Sequence, residues 1–159
     1  MNQSSTSSTE PPACPRPHQA TAADLPQGFR WAAAAAGIRY AGRNDLTLLV
    51  ADQPASAAAV FTRNTFAAPP VHLSRQILRD GGGRLRGVIT NSGCANAATG
   101  EQGLTNARAM SELARQAVGL TPGDPGSAFL VCSTGTIGVQ LPMEKIEAAL
   151  PGAVVSLAA

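Results

Sequence analysis

Two short stretches carry residue types able to act on a substrate. The first, Ser133-Thr134-Gly135-Thr136-Ile137-Gly138, directly follows an apolar run ending at Cys132. A glycine after a hydroxyl residue at a strand end can turn a backbone N–H outward. The Thr134 hydroxyl beside it is a second donor. Two donors converging on one point are what a tetrahedral oxyanion needs, and losing one typically costs roughly two to three orders of magnitude in rate. The plain alternative is a tight turn with glycine at positive φ, and on residue types alone the plain alternative outweighs the other. The second stretch is Asn91-Ser92-Gly93-Cys94-Ala95-Asn96-Ala97-Ala98-Thr99-Gly100. Its small residues permit close backbone approach, and its Asn side chains can hold turns. Most simply it connects a strand to a capped helix. A phosphate cradle at the helix start is the sharper reading, but neither a GKS/GKT nor a GxGxxG pattern is present.

Other reactive groups are sparse. Cys94, in a polar loop, is a more plausible thiolate than Cys132, which ends an apolar strand and reads as inert core. Neither histidine, His18 or His72, is placed by sequence as a base for Cys94. His72 lies among apolar residues and reads as structural. Asp45, Asp52, Glu101 and Glu112 show no paired-carboxylate spacing.

The elements that must position these groups alternate. Residues 1–23 are rich in Ser, Thr, Pro and Gln and read as a disordered tail, leaving 24–159 as the folded portion. Strands are expected at Leu46–Val50, at Ala57–Thr62 after a turn at Pro54, at Val71–Leu73, at Arg86–Thr90 after a glycine turn, and at Ala128–Cys132. The clearest helix spans about 101–118, with Leu104, Ala107, Met110, Leu113, Ala114, Ala117 and Val118 on one face. Thr99 and Gln102 resemble a capping box, and Gly119 is placed to stop the helix. A shorter helix starts near Pro142, with Met143, Ile146 and Leu150 as its stripe. Strands mixed with helices imply an α/β or α+β domain.

Composition sets the bounds. The 159 residues are 44% hydrophobic, 14% charged and 4% aromatic, so the core is built from small and aliphatic side chains. A net charge of +2 without basic clusters argues against nucleic acid. The longest apolar run, near Trp31 to Ile38, is too short to span a bilayer. Three cysteines (Cys14, Cys94 and Cys132) without metal-ligand spacing argue against zinc or a disulfide framework and fit a reducing cytoplasm.

Taken together and in order, four segments resemble one family. They are GFRWAAAAAGIRYAGRNDLTLLVAD, PASAAAVFTRNTFAAPPVHLSRQIL, GVITNSGCANAATGEQGLTNA and STGTIGVQLPMEKI. They are similar to the N-terminal α portion of the ornithine acetyltransferase family, also called bifunctional glutamate N-acetyltransferase and amino-acid acetyltransferase. The resemblance runs from about Gly28 to Leu150. It implies a layered αββα sandwich and a precursor that cleaves itself before a threonine. That threonine becomes the nucleophile of a β chain, which carries acetyl from N-acetylornithine to glutamate by a ping-pong route. Some members also use acetyl-CoA as a substrate. The implied assembly is an α2β2 heterotetramer of α chains with β chains from the same precursor, without metal or redox cofactor. Thr134 and Gly135 match the family's oxyanion-hole pair, which reverses the balance reached from residue types alone.

Two departures stand out. Cys94 replaces the family's usual Asn, and a thiol is a weak hydrogen-bonding group, so a bond in that loop is expected to be lost. No Lys-Gly-Ala-Thr-like cleavage motif occurs, and Val154 to Ala159 form an apolar stub. The chain therefore reads as a portion ending before the nucleophile and inactive alone. Two rival readings remain: an aminopeptidase using the same self-processed nucleophile, and a non-catalytic truncated homologue.

Overall fold

The computed structural model describes residues 26–157. The expected tail at 1–23 lies outside them. Four strands and three helices follow in the order β1 (Phe29–Ala34), β2 (Leu46–Ser56), α1 (Pro69–Asp80), β3 (Arg84–Cys94), α2 (Gly100–Ala117), β4 (Phe129–Thr136) and α3 (Met143–Val155). They form the mixed α/β class expected. The strands make one sheet in sequence order. β1 and β2 pair antiparallel, as do β2 and β3, and α2 carries the chain from β3 to a parallel β4.

Side-chain alternation explains the layering. Leu46, Leu48 and Val50 of β2, Ile89 of β3, and Phe129 and Val131 of β4 are buried against Leu73, Met110, Ile146 and Leu150 from the helices. Each large aliphatic side chain removed from water contributes about 1.5–3 kcal/mol. The intervening residues, Leu49, Val88, Thr90 and Leu130, remain half-exposed. The described residues thus build one sheet and one helical layer.

Several elements differ from expectation. Val71–Leu73 lies in α1, not in a strand. Pro69 and Pro70 occupy the first helical turn, where a missing N–H costs nothing, and Pro70, Leu73, Ser74 and Ile77 line one face at helical spacing. Ala57–Thr62 is not a strand either: β2 already pairs on both sides, and this apolar run finds no neighbour, leaving Val60 fully exposed. Arg75 holds the segment instead, donating to the Thr62 carbonyl at 2.9 Å and covering the Phe61 ring. β1 was not expected, because its Ala-rich residues show no alternation of polarity. Pro54 sits inside β2, at the irregularity between Val50 and Ala55.

The helices close as their residues require. Gly119 adopts φ 74° at the end of α2, and its N–H donates to the Gln116 carbonyl at 2.9 Å. The capping box does not form: the Thr99 hydroxyl donates to Asn96 at 2.8 Å, and Gln102 reaches Asn106 instead. α3 runs longer than the short helix expected. Its Ile146 and Leu150 are buried and Met143 is half-buried. Val154 and Val155 belong to it, and Ala158 and Ala159 lie outside the described residues.

Candidate functional site

Both stretches singled out by residue type meet at the C-terminal ends of β3 and β4, the only parallel pair among the described residues. In open α/β sheets such strand ends are where ligands collect. Each strand runs further than its apolar run alone indicates. β3 continues through Asn91-Ser92-Gly93-Cys94, and β4 through Ser133-Thr134-Gly135-Thr136. The register sets Asn91 beside Ser133, Ser92 beside Thr134, Gly93 beside Gly135 and Cys94 beside Thr136.

β4 is an edge strand, and its hydrogen bonds show which way its backbone points. The Ser111 hydroxyl donates to the Phe129 carbonyl at 2.7 Å. The Ser74 hydroxyl donates to the Val131 carbonyl at 3.0 Å and accepts from the Val131 N–H at 3.1 Å. Thr136 faces the other way, its carbonyl accepting from Ala95 N–H at 2.9 Å. Odd-numbered residues of β4 therefore turn their main-chain groups away from β3. By that alternation the amides of Ser133 and Gly135 face the open edge, beyond the serines that cover Phe129 and Val131. Thr134 and Gly135 are both exposed.

Gly135 has φ 130°, a conformation that side chains rarely adopt. A Cβ there would lie 2.6 Å from the Cys94 nitrogen and 2.7 Å from the Gly93 Cα. Gly93 is itself at φ 106° and packs on Arg39. Both the rotation and the close approach thus require glycine at position 135.

Unsatisfied polar atoms gather here. Three buried side-chain oxygens among the described residues have no hydrogen-bond partner: Asn91 Oδ1, Ser133 Oγ and Thr136 Oγ1. All three belong to the strand ends that flank Thr134 and Gly135. Buried polar groups are paired in the great majority of cases, so this grouping marks the strand ends as unlike the rest of the core. Sequence reasoning included Asn91, Ser133 and Thr136 in its two stretches but did not expect them to be buried without partners; their polarity at the ends of apolar strands was the available signal.

The thiols sit opposite to expectation. Cys94 is buried at 3% exposure, inside the core, and Cys132 is exposed. Cys94 is the last residue of β3 and faces the helices, whereas Cys132 is on the alternate face of β4 and points away from them. The Cys94 thiol donates to the Val139 carbonyl at 3.1 Å. The expectation for His72 is also corrected: it is exposed on α1. Asp45 is buried and structural, accepting from the N–H groups of Ala36 and Ile38 at 2.7 Å each. Asp52 pairs with Arg30, and Glu112 with Arg115. Cys14 and His18 lie outside the described residues.

Cavities lie near both ends of β4. A large one among the described residues, about 540 Å3, lies between α1, α2 and the turn at Pro122–Ala128, next to the start of β4. Its Arg115 and Glu112 bond each other, and it lies away from Thr134. Two smaller hollows flank the candidate pair. One, about 350 Å3, includes Cys132 and Ser133. The other, about 290 Å3, includes Gly93, Cys94 and Thr136. The chemistry argues for the strand ends over the larger cavity, because only there do exposed donors and unpartnered buried oxygens coincide.

Comparison with known proteins agrees in sequence and in fold. The ArgJ family model matches residues 30–159. The "Arginine biosynthesis bifunctional protein ArgJ" of Chlorobaculum tepidum is 50% identical over 126 residues, covering 79% of this chain and 30% of the relative. The mitochondrial protein of that name from Uncinocarpus reesii is 43% identical over 148 residues, covering 90% of this chain and 32% of the relative. The chain thus spans about a third or less of these curated relatives. Among solved structures, ornithine acetyltransferase complexed with ornithine from Mycobacterium tuberculosis superposes with TM-score 0.74 at 43% identity, covering 84% of this chain and 69% of that one. The arginine biosynthesis bifunctional protein argJ from Bacillus halodurans gives TM-score 0.69 at 34% identity, covering 80% and 68%.

Proposed function

We propose a function for this chain from one premise: it belongs to the ArgJ family. In this reading it is the α component of an acyltransferase that moves acetyl from N-acetylornithine to glutamate in arginine biosynthesis. Its partner is a β chain from the same precursor, freed by self-cleavage before a threonine, and the two associate as α2β2. The exposed face of the sheet, carrying Leu49, Val88 and Leu130, is where the second sheet of the sandwich packs.

The reaction follows from the donors. The β-chain threonine hydroxyl passes its proton to that chain's free α-amino group as its oxygen attacks the acetyl carbonyl carbon, and the carbonyl electron pair moves onto oxygen. The Thr134 hydroxyl and the Gly135 N–H donate to that oxyanion. As it collapses, the C–N bond breaks, the departing nitrogen takes up a proton and ornithine leaves. Acetyl stays as an ester on the threonine. The glutamate amine then attacks the ester, the same donors hold the second oxyanion, and N-acetylglutamate departs with the threonine hydroxyl restored. Nucleophile and hydrogen-bond donors suffice, so the reading includes no metal or redox cofactor. Acetyl-CoA, a thioester, is a further acyl donor in it, and the setting is the cytoplasm.

The observation that carries this reading is the Gly135 amide on the open edge of β4, beside the exposed Thr134 hydroxyl. The names of the relatives and of the superposed structure support the substrate class. The test is to give the full-length precursor N-acetylornithine with glutamate, and separately a panel of small peptides. Formation of N-acetylglutamate and ornithine is expected. Peptide hydrolysis without acetyl transfer would overturn the proposal in favour of an aminopeptidase, and neither activity would favour a non-catalytic homologue.

A further inference from the structure

We infer that Asn91 is a positioning residue for the Gly135 donor, acting through the Cys94–Ala95 peptide; the inference rests on the acyl-transfer reading above. Asn91 is fully buried, at 0% exposure. Its Nδ2 donates to the Cys94 carbonyl at 2.8 Å, while its Oδ1 has no partner among the described residues. A half-satisfied buried amide is a liability, because the unmet oxygen bears its desolvation cost without return. An apolar side chain would suit this position in β3 better, as Ile89 does two residues earlier on the same face. What the amide adds is a fixed Cys94 carbonyl.

That carbonyl belongs to the Cys94–Ala95 peptide, which directly follows the one Gly135 packs on. The Gly93–Cys94 peptide is the surface on which Gly135 rests, with no room for a Cβ between them. Cys94 is held on two sides, by Asn91 at its carbonyl and through its own thiol to the Val139 carbonyl at 3.1 Å. Ala95 then ties the strand end to the Thr136 carbonyl. Gly135 is therefore bracketed along β3, between the Gly93–Cys94 peptide it packs on and the Cys94–Ala95 peptide that Asn91 anchors and that bonds Thr136, and it holds φ 130° there. If the anchor is lost, the peptide can rotate, the glycine relaxes and its N–H swings off the line to the acyl oxygen. Misplacement by about 1 Å can cost about 100-fold in rate.

The test uses the full-length enzyme and three variants. Asn91→Asp keeps the size but sets a carboxylate against the Cys94 carbonyl, and Asn91→Ser withdraws the donor. Ser111→Ala is the control, since it deletes a side-chain bond to β4 at Phe129, the other end of the strand. Both Asn91 variants are expected to lower kcat for acetyl transfer by about 10- to 100-fold, with KM for N-acetylornithine within about threefold. Ser111→Ala is expected to lower Tm and leave kcat unchanged. A folded Asn91 variant with near-normal kcat overturns the inference, and so does an equal loss of kcat in Ser111→Ala. Gly135→Ala separates the two levels. If it is silent, the oxyanion reading itself fails; if it is crippled while the Asn91 variants turn over normally, only the positioning role fails. Should neither Asn91 variant fold, a crystal structure of the acetylated wild-type enzyme decides. Asn91 Nδ2 is expected at hydrogen-bond distance from the Cys94 oxygen, and an Asn91 turned away from it overturns the inference.

Discussion

Gly135 and Gly93 lie side by side in register across β4 and β3, and the backbone of β3 fills the place where a side chain on Gly135 would stand. A parallel pair normally carries side chains at such positions. Here a side chain on Gly135 would run into the β3 backbone, at the point where the chain would hold an oxyanion. The contact fixes the 134–135 peptide from below and leaves its outer edge open.

Gly135→Val is therefore expected to cripple acetyl transfer. The new side chain must displace the Gly93–Cys94 peptide, and φ must leave 130°. Removing one oxyanion donor lowers kcat by about 100- to 1,000-fold, and a loss of that size is expected in steady-state assays of the full-length enzyme. Turnover near that of the wild type would remove Gly135 from its role.

Thr134→Val removes the hydroxyl and keeps the shape of the side chain. Because Thr134 is exposed, with its backbone in the ladder to β3, the fold should not suffer. The kcat is expected to fall about 100-fold with little change in KM, and Thr134→Ser should restore most of it. A rise in KM alone would identify Thr134 as a binding group instead.

Ala98→Gly should make the protein more stable. Ala98 sits at φ 55°, exposed, between Asn96 at φ 47° and Gly100 at φ 60°. Asn tolerates the left-handed region through its short polar side chain, whereas alanine bears a cost of about 1–2 kcal/mol there. Allowing for the greater freedom of glycine in the unfolded chain, a net gain of about 0.5–1 kcal/mol is expected. That corresponds to a rise in Tm of a few degrees, and calorimetry would detect it.

The Glu112–Arg115 pair sets a pH dependence. Arg115 is buried, and its guanidinium donates to both Glu112 carboxylate oxygens. That bonding holds the Glu112 carboxyl below its ordinary value, and the opposing effect of burial is smaller. A carboxyl lowered on folding stabilises the fold above its unfolded pKa, and that stability disappears as pH falls through the lowered value. Since the Glu112 side chain is 46% exposed, solvent screens the pair and the effect is modest. Glu112→Gln is expected to lower Tm at neutral pH, with the difference from wild type closing in acid. A gap that widens in acid would contradict this assignment.

Much of the frame was legible because periodicity and glycine placement are local. α2 was readable from Ala107, Met110 and Ala114, and its end from Gly119. The strand cores at Leu46–Val50, Arg86–Thr90 and Ala128–Cys132 were readable as apolar runs. What escaped depended on partners distant in sequence. Val71 is β-prone by type, but two prolines start a helix there. Ala57–Thr62 looked like a strand and had nothing to pair with. The depths of Cys94 and Cys132 were inverted because Cys132 falls on the exposed alternate face of β4, and the polar stretch holding Cys94 is the end of β3 and not a loop. At the site, Thr134 and Gly135 were visible by type and by family pattern, whereas the backbone of Gly93 beneath them and the amide of Asn91 behind it needed the register of β3 against β4.

The most direct test is the structure of the full-length enzyme trapped with acetyl on its nucleophile or with a tetrahedral analogue bound. The distances to measure run from Gly135 N and Thr134 Oγ1 to the acyl oxygen. Both are expected at about 2.7–3.1 Å, with Gly135 still packed on the Gly93–Cys94 peptide. An acyl oxygen held by other donors, with the 134–135 pair facing solvent, would contradict the account.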